Sequence, residues 1–167
     1  MAARNLATYL NDHLAGSTVA LDLLEHLERS HAGTPEARFA AELRAEIAAD
    51  RRELEGVMSR LQIGESRPRK ATAWLSEKMT ELKLRMDDPA DGALRRLEVF
   101  DAVSVGIEGK RLLWRALGAA AETMPELRGT DYGRLERRAE EQRHSLETLR
   151  LEAAKAALGS DAGNPST

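Results

Sequence analysis

The chain has 167 residues, 42% hydrophobic and 32% charged, with a formal net charge of −3 and no cysteine. That length suits one domain around a single sizeable core, with no disulfide, thiolate metal site or thiol chemistry. The small net charge gives no general pull toward nucleic acid, and no apolar run approaches the length of a membrane span.

Ala, Leu, Glu and Arg dominate, whereas Val and Ile are too scarce and scattered to build a sheet. An all-α fold is expected. The start of the chain, Met1 to Asn5, has no apolar stretch behind a basic residue, so no secretory signal is expected and a cytoplasmic location is the default.

In chain order, a first helix is predicted from near Asn5 to near Arg29, ended by His31, Ala32 and Gly33. Thr34 caps the second, with Pro35 in its first turn, and Gly64 stops it just beyond Gln62. The link between these two is short, which makes them antiparallel neighbours. A basic connection containing Pro68 leads to a shorter helix from about Lys70 to Met86. Its stripe is Ala71, Leu75, Met79, Leu82 and Met86, with Trp74 beside it. Arg67, Arg69, Lys70, Lys78, Lys83 and Arg85 are read as a solvated face rather than a binding patch. Asp87-Asp88-Pro89 breaks that element. The third long helix covers roughly Leu94 to Ala121. After a turn from Met124 to Thr130, Thr130 or Asp131 caps a fourth that runs to about Leu158. Residues 1–158 thus form one helical domain, and 159–167 form a tail with nothing to bury, expected to be disordered.

Polar residues interrupt the inward stripe of each long helix. Ser17 lies between Leu10, Leu14 and Leu21, Leu24. Asp50 lies between Leu43, Ile47 and Leu54, Val57, Leu61. Asp101, Ser104 and Glu108 lie between Leu94, Leu97 and Leu112. Gln142 lies between Leu135, Ala139 and Leu146, Leu149, Ala153. A polar layer across a bundle is how such folds build metal or cofactor sites.

Two short links and one long crossover between helices two and three resemble the connectivity of ferritin-like four-helix bundles. Glu140-Glu141-Gln142-Arg143-His144 resembles the Glu-x-x-His helix of carboxylate-bridged di-metal proteins. The strings Tyr9 to Gly16, Ile107 to Lys110 and Leu113 to Leu117 are similar to a family of bacterial ferritin-like proteins. The resemblance covers nearly all of the chain except the tail. It implies a ferritin-like bundle, with the extra short helix carried in the crossover, and no particular activity.

The sequence departs from a di-metal pattern. Ser17 or Thr18 stands where the first helix would supply a bridging Glu, and Glu46-Ile47-Ala48-Ala49 lacks the second helix's imidazole. Glu108 is acceptable on the third. Glu141 and His144 keep both residue types on the fourth but fall beside its apolar stripe, which runs through Gln142 and on to Ala156. The expected outcome is no intact metal site. Iron or manganese held by Glu46, Asp50, Glu108, Glu141 and His144 is the alternative, and it would make the protein a metal-binding oxidoreductase with an atypical ligand set.

Asp50 is the most unusual residue, because a carboxylate on the core line must be paired. Arg51, Arg52, Lys110, Ser17 and Gln142 are its candidate partners, and Arg111, Arg115 or Lys110 are those of Glu108. A buried network that sets helix register is the expectation, since no nucleophile, base and oxyanion donor stand together. Loss of the Asp50 carboxylate should then cost about 2–4 kcal/mol. His13 is read as a neutral core-edge histidine bonded to a neighbouring acid, and His26 and His31 as cations near the end of the first helix. Gly106 and Gly109, inside the third helix, are expected to sit against another helix. A ligand pocket beside them, lined by Trp114 and Asp50, is the other reading. Both tryptophans are read as packing residues. The function expected from the sequence is therefore a non-enzymatic structural or interaction protein, acting through helix-mediated association. The expected partner surface is a homodimer through helical faces, with neither nucleic acid nor a membrane span involved.

Overall fold

The computed structural model describes residues 2–66 and 92–159. Four long helices fill them: α1 (Ala2–Ser30), α2 (Pro35–Arg60), α3 (Gly92–Ala120) and α4 (Tyr132–Leu158). A 3-10 turn at Pro125–Leu127 precedes α4, and no strand occurs among the described residues. The fold is all-α, as composition implies. The short helix expected from Lys70 to Met86, its basic residues and Trp74 lie outside the described residues, as does the tail beyond Gly159.

Helix ends follow local chemistry. Thr34 is extended and its hydroxyl accepts from the Ala37 N–H at 3.2 Å, with Pro35 in the first turn. Asp131 does the same for α4, accepting from the Arg134 N–H at 2.9 Å. The end of α2 differs from the expectation. Gln62, not Gly64, takes the left-handed conformation, at φ 55°. The Ile63 N–H then returns to the Met58 carbonyl at 2.9 Å and the Gln62 N–H to that of Ser59 at 3.0 Å. Ile63 packs into the same apolar cluster as Met58, a hydrophobic contact that accompanies this turn and holds a non-glycine residue in an unfavourable φ.

Two apolar clusters make the core. One joins Leu23, Leu24 and Leu27 of α1, Ala40, Leu43 and Ile47 of α2, Leu97 to Ile107 of α3, and Leu146 and Ala153 of α4. The other joins Leu10 and Leu14, Leu54 to Met58, Leu113 to Leu117, and Leu127 to Leu135. The C-terminal half of α1 thus meets the N-terminal halves of α2 and α3. Helices α1 and α4 run one way, and α2 and α3 run the other. The closest packing is within the hairpins α1/α2 and α3/α4; α1 also touches α3, and α2 touches α4.

The expected stripe of α3 is corrected. Leu94 and Leu112 are exposed and so is Asp101, whereas Leu97, Phe100, Val103, Ile107, Leu113 and Leu117 are buried. Apolar residues occur all round this helix, so leucine spacing alone did not mark its inner face. Phe100, Val103 and Ile107 occupy it together with Leu97, Leu113 and Leu117.

Candidate functional site

Between the two clusters, α2, α3 and α4 each contribute to a buried polar layer. Asp50 is 2% exposed and lies on the inner line of α2. Lys110 on α3 donates through Nζ to Asp50 Oδ2 and to Gln142 Oε1. Gln142 on α4 donates through Nε2 to the same Asp50 oxygen at 3.1 Å. Arg138, one turn before Gln142, donates through Nη2 to Asp50 Oδ1. One carboxylate therefore holds two cations, and the amide closes a ring by accepting from the lysine while donating to the aspartate. Burial pushes the Lys110 ammonium below its ordinary value, and the Asp50 charge pulls it partly back.

The candidate partners of Asp50 divide cleanly. Lys110 and Gln142 contact it. Arg51 turns instead toward α1, donating through Nη1 to the Leu14 carbonyl at 3.1 Å, Ser17 Oγ at 3.0 Å and Thr18 Oγ1 at 2.6 Å, and through Nε to Glu55 at 2.7 Å. Ser17 is thus a partner of Arg51, and Arg52 is exposed. Arg138 was not foreseen. Its signal was its place one helical turn from Gln142, where a long side chain reaches the same face.

The residues of the atypical ligand set are not gathered. Asp50 is interior, but Glu46, Glu141 and His144 are exposed. Glu108 is directed to cations rather than to the layer. It accepts from Arg111 at 2.8 and 3.0 Å and meets Arg143 at 3.4 Å, and the Arg111 hydrogen bonds hold its carboxyl below the usual range. Among the described residues no three His, Asp or Glu side chains converge on one point. Both Asp50 oxygens accept from cations.

Beside the layer lies a cavity of about 440 Å³ between α1 and α3, reaching Ile47, Asp50 and Leu54 of α2. Gly16 and Ala20 form one wall, Ala102, Gly106 and Gly109 the other. A Cβ built on Gly16, Gly106 or Gly109 would meet nothing within 4 Å. The expectation of close helix packing at Gly106 and Gly109 is therefore corrected: they face open space. The other reading of that region, a pocket with Trp114 and Asp50 in its lining, matches the cavity. His13 stands at its edge, 4.7 Å from the Tyr9 ring in an edge-on contact. Burial pushes this imidazole down, against a smaller opposing effect of Asp12. Trp114 is 1% exposed and stacks on Tyr132 at 6.4 Å, which makes it a packing residue as well as a lining one.

Asn11 was also missed. It is 6% exposed, donates to the Ala7 carbonyl at 2.9 Å and to that of Gly64 at 3.3 Å, and accepts from the Ser66 N–H at 2.7 Å. It ties the segment that leaves α2 back onto α1. No described helix is long and apolar enough to cross a membrane. Comparison with models of protein families, with curated proteins and with solved structures finds no match.

Proposed function

We propose that the chain is a non-catalytic, ferritin-like helical bundle that works by binding, with an internal ion-paired layer at the level where such bundles hold two metal ions. The observation that carries this reading is the Lys110 ammonium, fixed between Asp50 and Gln142. A cation in the middle layer repels a second positive charge, and it uses the one carboxylate buried among the described residues, which a metal would need. The ferritin-like part of the reading draws support from the helix directions. Helices α2 and α3 point the same way, the relation expected between two helices joined by a long crossover.

A binding role fits the surface better than chemistry. The layer holds no group free to attack a substrate, since every member donates to or accepts from another. The apolar face available to a second copy is the stripe Leu94, Val105 and Leu112 on α3, all exposed.

Metal analysis of protein purified without chelator tests the reading. We expect iron, manganese and zinc far below one equivalent, and a Tm that ferrous iron does not move. Near-stoichiometric metal together with a Tm that rises with added ion would overturn it, since an ion bound to the folded state must stabilise that state.

A further inference from the structure

We propose that the cavity between α1 and α3 is a binding site for a single-tailed aliphatic carboxylate. Its tail lies along the Gly16–Ala20 and Ala102–Gly109 walls, and its carboxylate meets Lys110 and Trp114. The inference rests on the ion-paired reading of the layer, and metal content measured on the same preparation reports on that reading separately.

Four observations converge. The volume, about 440 Å³, lies within the range of small-molecule sites. The walls are smooth for no packing reason: three glycines sit in helix interiors, where each is unfavourable, and none is needed to let a neighbour approach. A flexible alkyl chain fits a channel without side-chain relief on either wall.

The deep end supplies donors. A lysine ammonium has three N–H groups, and the hydrogen bonds of Lys110 within the layer go to two acceptors, Asp50 and Gln142. The indole N–H of Trp114 is buried and has no acceptor among the described residues, which is a costly state for a donor. Lys110 and Trp114 are four residues apart on α3 and both line the cavity, so the two donors share one face. A carboxylate has two oxygens to place against them.

Charge selects the head group. Asp50 is shared between Lys110 and the part-exposed Arg138, so the Lys110 ammonium does not have a whole carboxylate to itself. A cation whose counter-ion is shared favours an anionic head group over an amine, which places that head group at Lys110 and away from Asp12 in the same lining. Arg51, which also lines the cavity, has its Nη1 and Nε engaged by Leu14, Ser17, Thr18 and Glu55.

Isothermal titration of the full chain with decanoate, decanol and decylamine tests this. Decanoate should bind, with decanol and decylamine weaker by about tenfold or more, because only the acid satisfies both donors. Trp114→Phe keeps the ring and removes the N–H; it should weaken decanoate several-fold and leave decanol unchanged. Gly106→Leu should abolish decanoate binding by filling the channel, while the ligand-free Tm stays level or rises. Equal binding of decanol, unchanged decanoate affinity in Gly106→Leu, or no decanoate binding overturns the proposal. So does sedimentation of the parent as a dimer that Gly106→Leu separates, which would give the cavity to a second copy.

Discussion

Asp50 is where the sequence spoke most plainly and where a single atom group matters most. A carboxylate between Ile47 and Leu54 could only be buried and paired, and Gln142 broke its own stripe in the same way. What the sequence left open was which cation reached it, because many arginines and one lysine lay within a turn of some candidate position. Asp50→Ala should lower stability by about 3–4 kcal/mol, since Lys110 and Arg138 both lose their anion. Replacing the whole set, Asp50→Leu with Lys110→Met and Gln142→Leu, should bring stability back to within about 1 kcal/mol of the parent, leaving Arg138 free to turn to solvent. Urea midpoints decide both, and a combined variant as weak as Asp50→Ala would mean the layer itself stabilises the fold. His13 gives a pH test. Its folded value is held below its ordinary 6.5, so the unfolded chain binds more protons as the pH falls past that value. That contribution to stability is therefore lost toward acid. The parent should lose more stability than His13→Gln between about pH 7.5 and about pH 5.5. Parallel profiles would mean that burial does not depress this imidazole.

Helix ends were legible where a side chain does the capping. Thr34 and Asp131 both act as their types suggest. The end of α2 was not, because a left-handed glutamine has no sequence mark; its conformation is imposed by the return of Ile63 onto Met58. The inner face of α3 was likewise hidden. Exposed Leu94, Val105 and Leu112 are as apolar as the buried set, so periodicity supported more than one face. Only packing against α4 separates them. The glycines of α3 look like close-contact residues in sequence and prove to border open space. Gly106→Ala and Gly109→Ala should each raise stability by about 0.5–1 kcal/mol, the helix-propensity gain with no clash to offset it. A loss at either position, read from urea midpoints, would show that the wall is closer than 4 Å to a neighbour.

Across the whole molecule, the all-α class followed from composition, and the antiparallel pairing of α1 with α2 from their short link. The cavity was legible only as the second reading of Gly106 and Gly109, since an empty space between helices leaves no residue pattern beyond small side chains. It divides the two hairpins on one side, so their packing there is weak. Amide exchange should therefore be faster along Gly16–Ala20 and Ala102–Gly109 than along Leu43–Leu54 and Leu135–Leu146, which carry the layer and the inner clusters. Uniform protection over all four segments would contradict it. Asn11, finally, has a bearing on how the chain is routed. By gripping Gly64 and Ser66 it fixes the heading of the backbone within a few residues of leaving α2. The direction in which the chain leaves α2 is thus set by an amide in the first helix. A shorter graft joining Ser66 to Gly92 would start out already steered, and loop trimming alone would be a poor means of rewiring this protein into a simple meander.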